Sequence, residues 1–110
     1  MSYNIVIASE FAKEAKRIAK KHPGIKADIT KLISDLKLNP RSGTDLGQGF
    51  YKIRMAVSGT GKGKSSGAIV ITYIIVNKET LILAEIYLKS EFDSVNVDLL
   101  IQRIKGQGFI

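Results

Sequence analysis

The sequence predicts an α+β fold in which two N-terminal helices pack on a mainly antiparallel sheet. Three observations predict it. Apolar residues recur at helical spacing through two early segments, separated by Pro23-Gly24. The second half holds strand-like runs starting at Tyr51, Ala68 and Leu81, divided by glycine-rich or polar turns. The connections between these runs are short, and such neighbours usually form antiparallel hairpins. The predicted order is β-α-α-β-β-β-(α), and 110 residues fit one domain, 1–110.

Taken in order, Tyr3 to Ala8 contain the run Ile5, Val6, Ile7, read as a buried strand. Ser9 reads as a helix N-cap, with Glu10 at the positive end of the helix dipole. The helix should run to about Lys21, burying Phe11, Ala15, Ile18 and Ala19. After Pro23-Gly24 a second helix carries Ile25, Ile29, Leu32, Ile33 and Leu36 on one side, and Asn39-Pro40 ends it. Arg41 to Gly49 reads as a polar loop. From Tyr51 the pattern alternates: Tyr51, Ile53 and Met55 on one face, Lys52 and Arg54 on the other. Ala68 to Val76 is a β-branched run, Asn77-Lys78-Glu79 a turn, and Leu81 to Leu88 a last strand. Lys89 to Asn96 reads as a loop. Val97 to Lys105 makes a short helix with Leu100, Ile101 and Ile104 apolar, closed by Gly106 and Gly108.

The formal charge of +7 and a pI near 9.7 favour a polyanionic partner. With no cysteine, disulfides, thiolate chemistry and cysteine-based zinc sites are excluded. The single histidine, His22, sits at a helix C-terminus, where it suits the dipole better than a ligand. No metal and no cofactor is expected. The N-terminus lacks a charged region followed by a long apolar run, and no stretch approaches the ~20 apolar residues of a membrane span. A cytoplasmic protein with no membrane partner is the expectation.

Ser58 to Ser65 reads SGTGKGKS, close to the phosphate-binding P-loop. A P-loop needs glycine where Ser58 stands, and it must open a helix; Ala68 to Tyr73 are strand formers instead. The segment makes better sense as a hairpin connection carrying Lys62 and Lys64. From Tyr51 to Gly67 no acidic residue interrupts the lysines and Arg54. Lys52 and Arg54 lie about 7 Å apart on one strand face, a spacing like that of successive phosphates. Tyr73 and Tyr87 are candidates to stack on bases, against the ordinary role of strand tyrosines in packing. Glu85 shares the parity of Tyr87, so both lie on one face, where Glu85 is placed to pair with a cation across the sheet.

Several segments resemble the RelE/HigB superfamily of bacterial toxins. FAKEAKRIAKK from Phe11 to Lys21 looks like that family's first helix, and YKIR from Tyr51 to Arg54 like its second strand. GKGKSSGAIVITY from Gly61 to Tyr73 resembles the glycine-lysine signature of the HigB-like branch. IYLKSEFD from Ile86 to Asp93 resembles the last strand and its exit. The likeness covers nearly the whole chain.

The resemblance implies a toxin of a type II toxin–antitoxin system that cuts messenger RNA on the ribosome without metal. The 2′-hydroxyl attacks the neighbouring phosphate, which calls for a base, cations and an acid. It implies Arg54, Lys64, Lys89 and Glu91 as catalytic candidates, Glu91 as a base. Lys52, Lys62, Tyr73 and Tyr87 would bind RNA. Its implied partners are the cognate antitoxin, with an acidic segment over the basic faces, and the ribosome with its message. Two alternatives are a ParE-like toxin that blocks DNA gyrase and an inactive RNA-binding relative. Where relatives often carry a phosphate-gripping arginine after the glycine loop, this chain has Ile69; where RelE itself has an arginine near the end of the last strand, it has Lys89 and Ser90.

Overall fold

A computed structural model describes residues 3–58, 67–91 and 96–110. The elements are β1 (Asn4–Ile7), α1 (Ser9–Ala19), α2 (Ile25–Leu38), β2 (Thr44–Gly47), β3 (Phe50–Met55), β4 (Ala68–Ile75), a 3-10 turn (Val76–Lys78), β5 (Thr80–Leu88) and α3 (Val97–Gly106). The five strands form one sheet in the order β1-β5-β4-β3-β2. Only β1 and β5 run parallel; the other three pairs are antiparallel. The fold is α+β, as the sequence predicts.

Three local readings change, and the turn read before β5 takes a definite form. The stretch from Arg41 to Gly49 is not all loop, because Thr44–Gly47 pairs with β3 as a short edge strand. Its glycines at 47 and 49 and Gln48, at φ +57°, make a turn that only left-handed backbone can close. β1 is a half-exposed edge strand rather than a buried one, and Ile7 stays 49% exposed. Ser9 does not cap α1. Ala8 holds the cap position, and the Ser9 hydroxyl reaches Gln107 near the C-terminus instead. The turn before β5 is a 3-10 turn closed by Glu79 in the left-handed region, at φ +46°.

The strand register assigns the faces. Directly opposed residues share a face, so Tyr51, Ile53, Met55, Val70, Leu83 and Ile86 lie together. All are buried, and α1 and α2 cover them. The opposite face carries Lys52, Arg54, Ile69, Ile71, Glu85 and Tyr87. There Ile69 and Ile71 are at most 1% exposed, so this face is covered in part as well. The cover is α3, whose Leu100 and Ile104 are buried and whose Arg103 grips Glu85. Asn96 caps α3 by accepting the Leu99 N–H.

One irregularity decides what β5 shows to this second face. Ile71 opposes Glu85, whereas Thr72 opposes Leu83, so Ala84 is an extra residue. This β-bulge breaks the alternation. Leu81 and Leu83 point to the helix pair; Glu85 and Tyr87, of the same parity, point to the side of Lys52 and Arg54.

Candidate functional site

β3 presents its cations because its odd-numbered residues are spent on the core. Tyr51, Ile53 and Met55 are no more than 8% exposed, while Lys52 is half-buried and Arg54 exposed. The register then runs Arg54–Ile69–Tyr87 and Lys52–Ile71–Glu85 across three strands. Two strand spacings separate the ends of each row, about 10 Å. Lys89 follows β5, and its N–H donates to the Gly67 carbonyl at 2.9 Å. That bond carries the β4–β5 pairing one step further and keeps Lys89 on the alternation of Glu85 and Tyr87. The structure therefore brings Lys52, Arg54, Tyr87 and Lys89 to one face. Lys62 and Lys64 lie outside the described residues.

Among the described residues, Lys52, Arg54 and Lys89 make no ion pair. The other three arginines are engaged. Arg17 binds Glu14 at 2.9 Å and Glu91 at 2.8 Å. Its guanidinium is held above the usual arginine range by the Glu91 hydrogen bond first, then by Glu14. Arg103 takes both oxygens of Glu85, at 2.8 and 2.7 Å. Arg41 donates to the Tyr51 hydroxyl at 3.1 Å, and that bond is the main cause that raises its pKa.

Five of the residues singled out in the sequence are engaged or partly packed away within the fold. Glu91 is tied to Arg17 of α1, the helix on the other side of the sheet, rather than to Arg54. Tyr73 packs its ring on Phe50, with centroids 4.7 Å apart, and lies against the close-set Gly49. Tyr87 is half-buried with its hydroxyl shielded from solvent, so it offers part of its ring and not its polar end. Glu85 pairs with Arg103 of α3 and not with a strand lysine. Ile69, opposite Arg54, is 1% exposed and belongs to the core.

Sequence reasoning missed a cleft of about 970 Å³ between α1, the end of β5 and α3. Glu10, Glu14, Arg17, Glu85, Glu91 and Arg103 are among its lining residues. It lies beside the cationic face without including Lys52 or Arg54. Two of its ion pairs, Arg17–Glu91 and Arg103–Glu85, join separate elements, so no local pattern announces it. No cluster of three or more histidine, cysteine, aspartate or glutamate side chains among the described residues is set to hold a metal. No helix among them is long and apolar enough to cross a membrane.

Comparison with solved structures gives a match over nearly the whole chain. A double arginine-to-alanine variant of the Escherichia coli toxin RelE, in its free state, superposes with a TM-score of 0.65. The alignment covers 94% of this chain and 99% of that one, at 17% sequence identity. The chain has a RelE-like fold. No protein-family model matches it, and no curated protein is significantly similar in sequence. At this identity the RelE-like architecture is shared while side chains have diverged, so the chemistry rests on the residues present here.

Proposed function

We propose that this RelE-like chain is the toxin of a type II toxin–antitoxin pair and cleaves messenger RNA on the ribosome. The observation that carries the reading is the cationic face: among the described residues Lys52, Arg54 and Lys89 stand together without an ion-pair partner, while the other arginines are engaged. Uncompensated cations at strand spacing suit a phosphodiester backbone. The RelE-like fold supports the same reading.

In this proposal Lys52 holds a phosphate beside the scissile one. Arg54 and Lys89 stabilise the charge that builds on the phosphorane as the 2′-hydroxyl attacks. Lys62 and Lys64 add phosphate contacts, with Lys64 as a candidate for proton transfer. The exposed part of the Tyr87 ring is the stacking surface nearest Arg54. Tyr73 supports the β2–β3 turn from its place against Phe50. Glu91, bound to Arg17, helps hold the end of β5 unless RNA binding frees it to act as a base. The proposed partners are the ribosome with its message and a cognate antitoxin with an acidic segment.

The test is direct. Purified protein added to translating ribosomes should truncate messages, and chelators should not stop it. Intact messages together with stalled DNA supercoiling by gyrase would replace this reading with the ParE-like one. Intact messages with tight RNA binding would leave a non-cleaving RNA-binding protein.

A further inference from the structure

Residues 15–27, AKRIAKKHPGIKA, hold five of the chain's 17 lysines and arginines and no aspartate or glutamate. They form the end of α1, the corner at Pro23-Gly24 and the start of α2. Further along α2 the signs alternate through Asp28, Lys31, Asp35 and Lys37, so the excess is confined to the corner. Arg17 is committed to Glu14 and Glu91. Lys16, Lys20, Lys21 and Lys26 are exposed and make no ion pair among the described residues. Lys16 and Lys20 stand four positions apart and so share one face of α1.

Two independent contacts place this corner at the end of the sheet where β3 and β5 finish. Gly24 packs so closely on Ser58, three residues beyond β3, that a Cβ there would sit 2.8 Å from the Ser58 carbonyl oxygen. Asp28 reinforces the contact by accepting the Ser58 N–H at 2.8 Å. Arg17 reaches Glu91, three residues beyond β5, at 2.8 Å. Arg54 precedes Ser58 by four residues, at most about 14 Å of fully extended chain, and Lys89 directly follows β5. The corner lysines and the cations of the β3 face therefore border the same end of the sheet, one group on each side of it.

Helix dipoles account for only part of this charge. Lys16 and Lys20 suit the negative end of α1. Lys26 is placed the other way, in the first turn of α2, where the dipole disfavours a cation. The acid of that turn, Asp28, is turned to Ser58. The N–H groups of Ile25 and Lys26 are taken by the His22 and Pro23 carbonyls, so an anion at the corner meets lysine side chains rather than the helix end. A membrane surface or a protein interface calls for apolar side chains among the charges. The exposed large apolar residues, Ile7, Leu38, Val76, Leu99 and Ile110, all lie elsewhere in the chain. Charge without apolar anchors suits the backbone of a nucleic acid.

We propose that the α1–α2 corner is a second RNA-contacting surface, on which Lys20, Lys21 and Lys26 take phosphates of a strand that leaves the β3 face over the end of the sheet. The choice of RNA as the polyanion rests on the reading of the β3 face. The corner adds reach: an RNA long enough to cross the sheet end gains contacts that a short one on β3 cannot make.

The experiment measures fluorescence anisotropy of labelled single-stranded RNAs of about 4 and about 16 nucleotides, the span of common single-strand site sizes. Each is titrated with the full chain at several salt concentrations. The Lys20→Gln/Lys21→Gln/Lys26→Gln variant should bind the long RNA roughly tenfold more weakly, with a log–log salt slope lower by about 2 for three lost phosphate contacts. Its binding of the short RNA should not change. The control Lys31→Gln/Lys37→Gln/Lys78→Gln removes the same charge from further along α2 and from the turn before β5, and should bind both RNAs as wild type does. Long-RNA binding that survives in the corner variant overturns the proposal. So does an equal loss in the control, or a corner variant that weakens both RNAs alike, since either would mean net charge and not a surface. Wild type that binds neither RNA overturns the proposal together with the β3 reading. The Lys52→Ala/Arg54→Ala pair separates the two: if it weakens neither RNA while the corner variant still loses the long one, the corner stands and the β3 face falls. Glutamine at these exposed sites should leave the melting temperature unchanged. If the triple variant unfolds, Lys26→Gln decides alone: a long-RNA slope lower by about 0.7 supports the surface, and an unchanged slope overturns it.

Discussion

Along β3, Lys52 and Arg54 have no ion-pair partner among the described residues; two strands away on the same sheet face, both oxygens of Glu85 are held by Arg103. Around the nearby cleft Arg17 is likewise shared between Glu14 and Glu91. The two regions draw on the same residue types and differ in what those residues have been spent on. In the cleft the charges tie α1 and α3 to the end of β5. On β3 the alternation sends Lys52 and Arg54 outward, where no ion pair holds them among the described residues. Each ion pair joins one cation to one anion and leaves the formal charge of +7 unchanged; what the pairs decide is which arginines are committed to the fold and which, like Arg54, are left for a polyanion.

Changing residues in either region tests this division. The largest effect is expected at Ile69, which lies between Arg54 and Tyr87 and is 1% exposed. Ile69→Arg would bury an unpaired cation and should cost about 4 kcal/mol or more. Thermal denaturation followed by circular dichroism should show a melting temperature lower by more than ~15 °C. An unchanged melting temperature would mean that position 69 opens onto the cationic face after all.

Next comes the Lys52→Ala/Arg54→Ala pair. Ribosome or RNA binding should fall by roughly a hundredfold, with the log–log salt slope reduced by about 1.4 for a single strand. Stability should hold within about 0.5 kcal/mol, as for other exposed charges. Unchanged binding would remove β3 from the site.

Arg103→Ala should have the reverse profile. It strips the partner from Glu85, whose side chain is only 16% exposed. The expected cost is about 1–2 kcal/mol, below that of a fully buried pair because Arg103 itself is half in solvent. RNA affinity should change far less than in the β3 pair. The smallest effect is expected for Arg17→Ala. Arg17 and both of its partners are more than a third exposed, and the melting temperature should move by no more than the error of the measurement. A large loss in RNA binding from either arginine would mean that the cleft, and not β3, meets the ligand.

The two regions also differ in how legible they were in the sequence. The helix pair follows from the spacing of Phe11, Ile18, Ile25 and Leu36, all buried as expected. The outward turn of Lys52 and Arg54 follows from strict alternation with Tyr51, Ile53 and Met55. β2 was invisible, because Thr44-Asp45-Leu46-Gly47 has one apolar residue and no period to read. The Ser9 cap failed because its hydroxyl has a tertiary partner in Gln107, 98 residues away. The Glu85–Arg103 and Arg17–Glu91 pairs depend on how α1 and α3 dock, which no local pattern encodes. Ile69 is the instructive case. Its parity places it on the cationic face and its chemistry suits the core, and both are true, because α3 covers that part of the face.

The extra residue at Ala84 gives β5 a tolerance of its own. Most substitutions along a strand act one side chain at a time, whereas a change of length acts on all that follows. A single-codon deletion at Ala84 would remove the bulge and leave Leu83 opposite Thr72 and Glu85 opposite Ile71, so the side chains beyond it would keep their faces. A deletion at Ile86 would instead turn Tyr87 toward the helices and Leu88 toward the side of Lys52 and Arg54. The same loss of one residue is therefore absorbed at the bulge and disruptive two positions later.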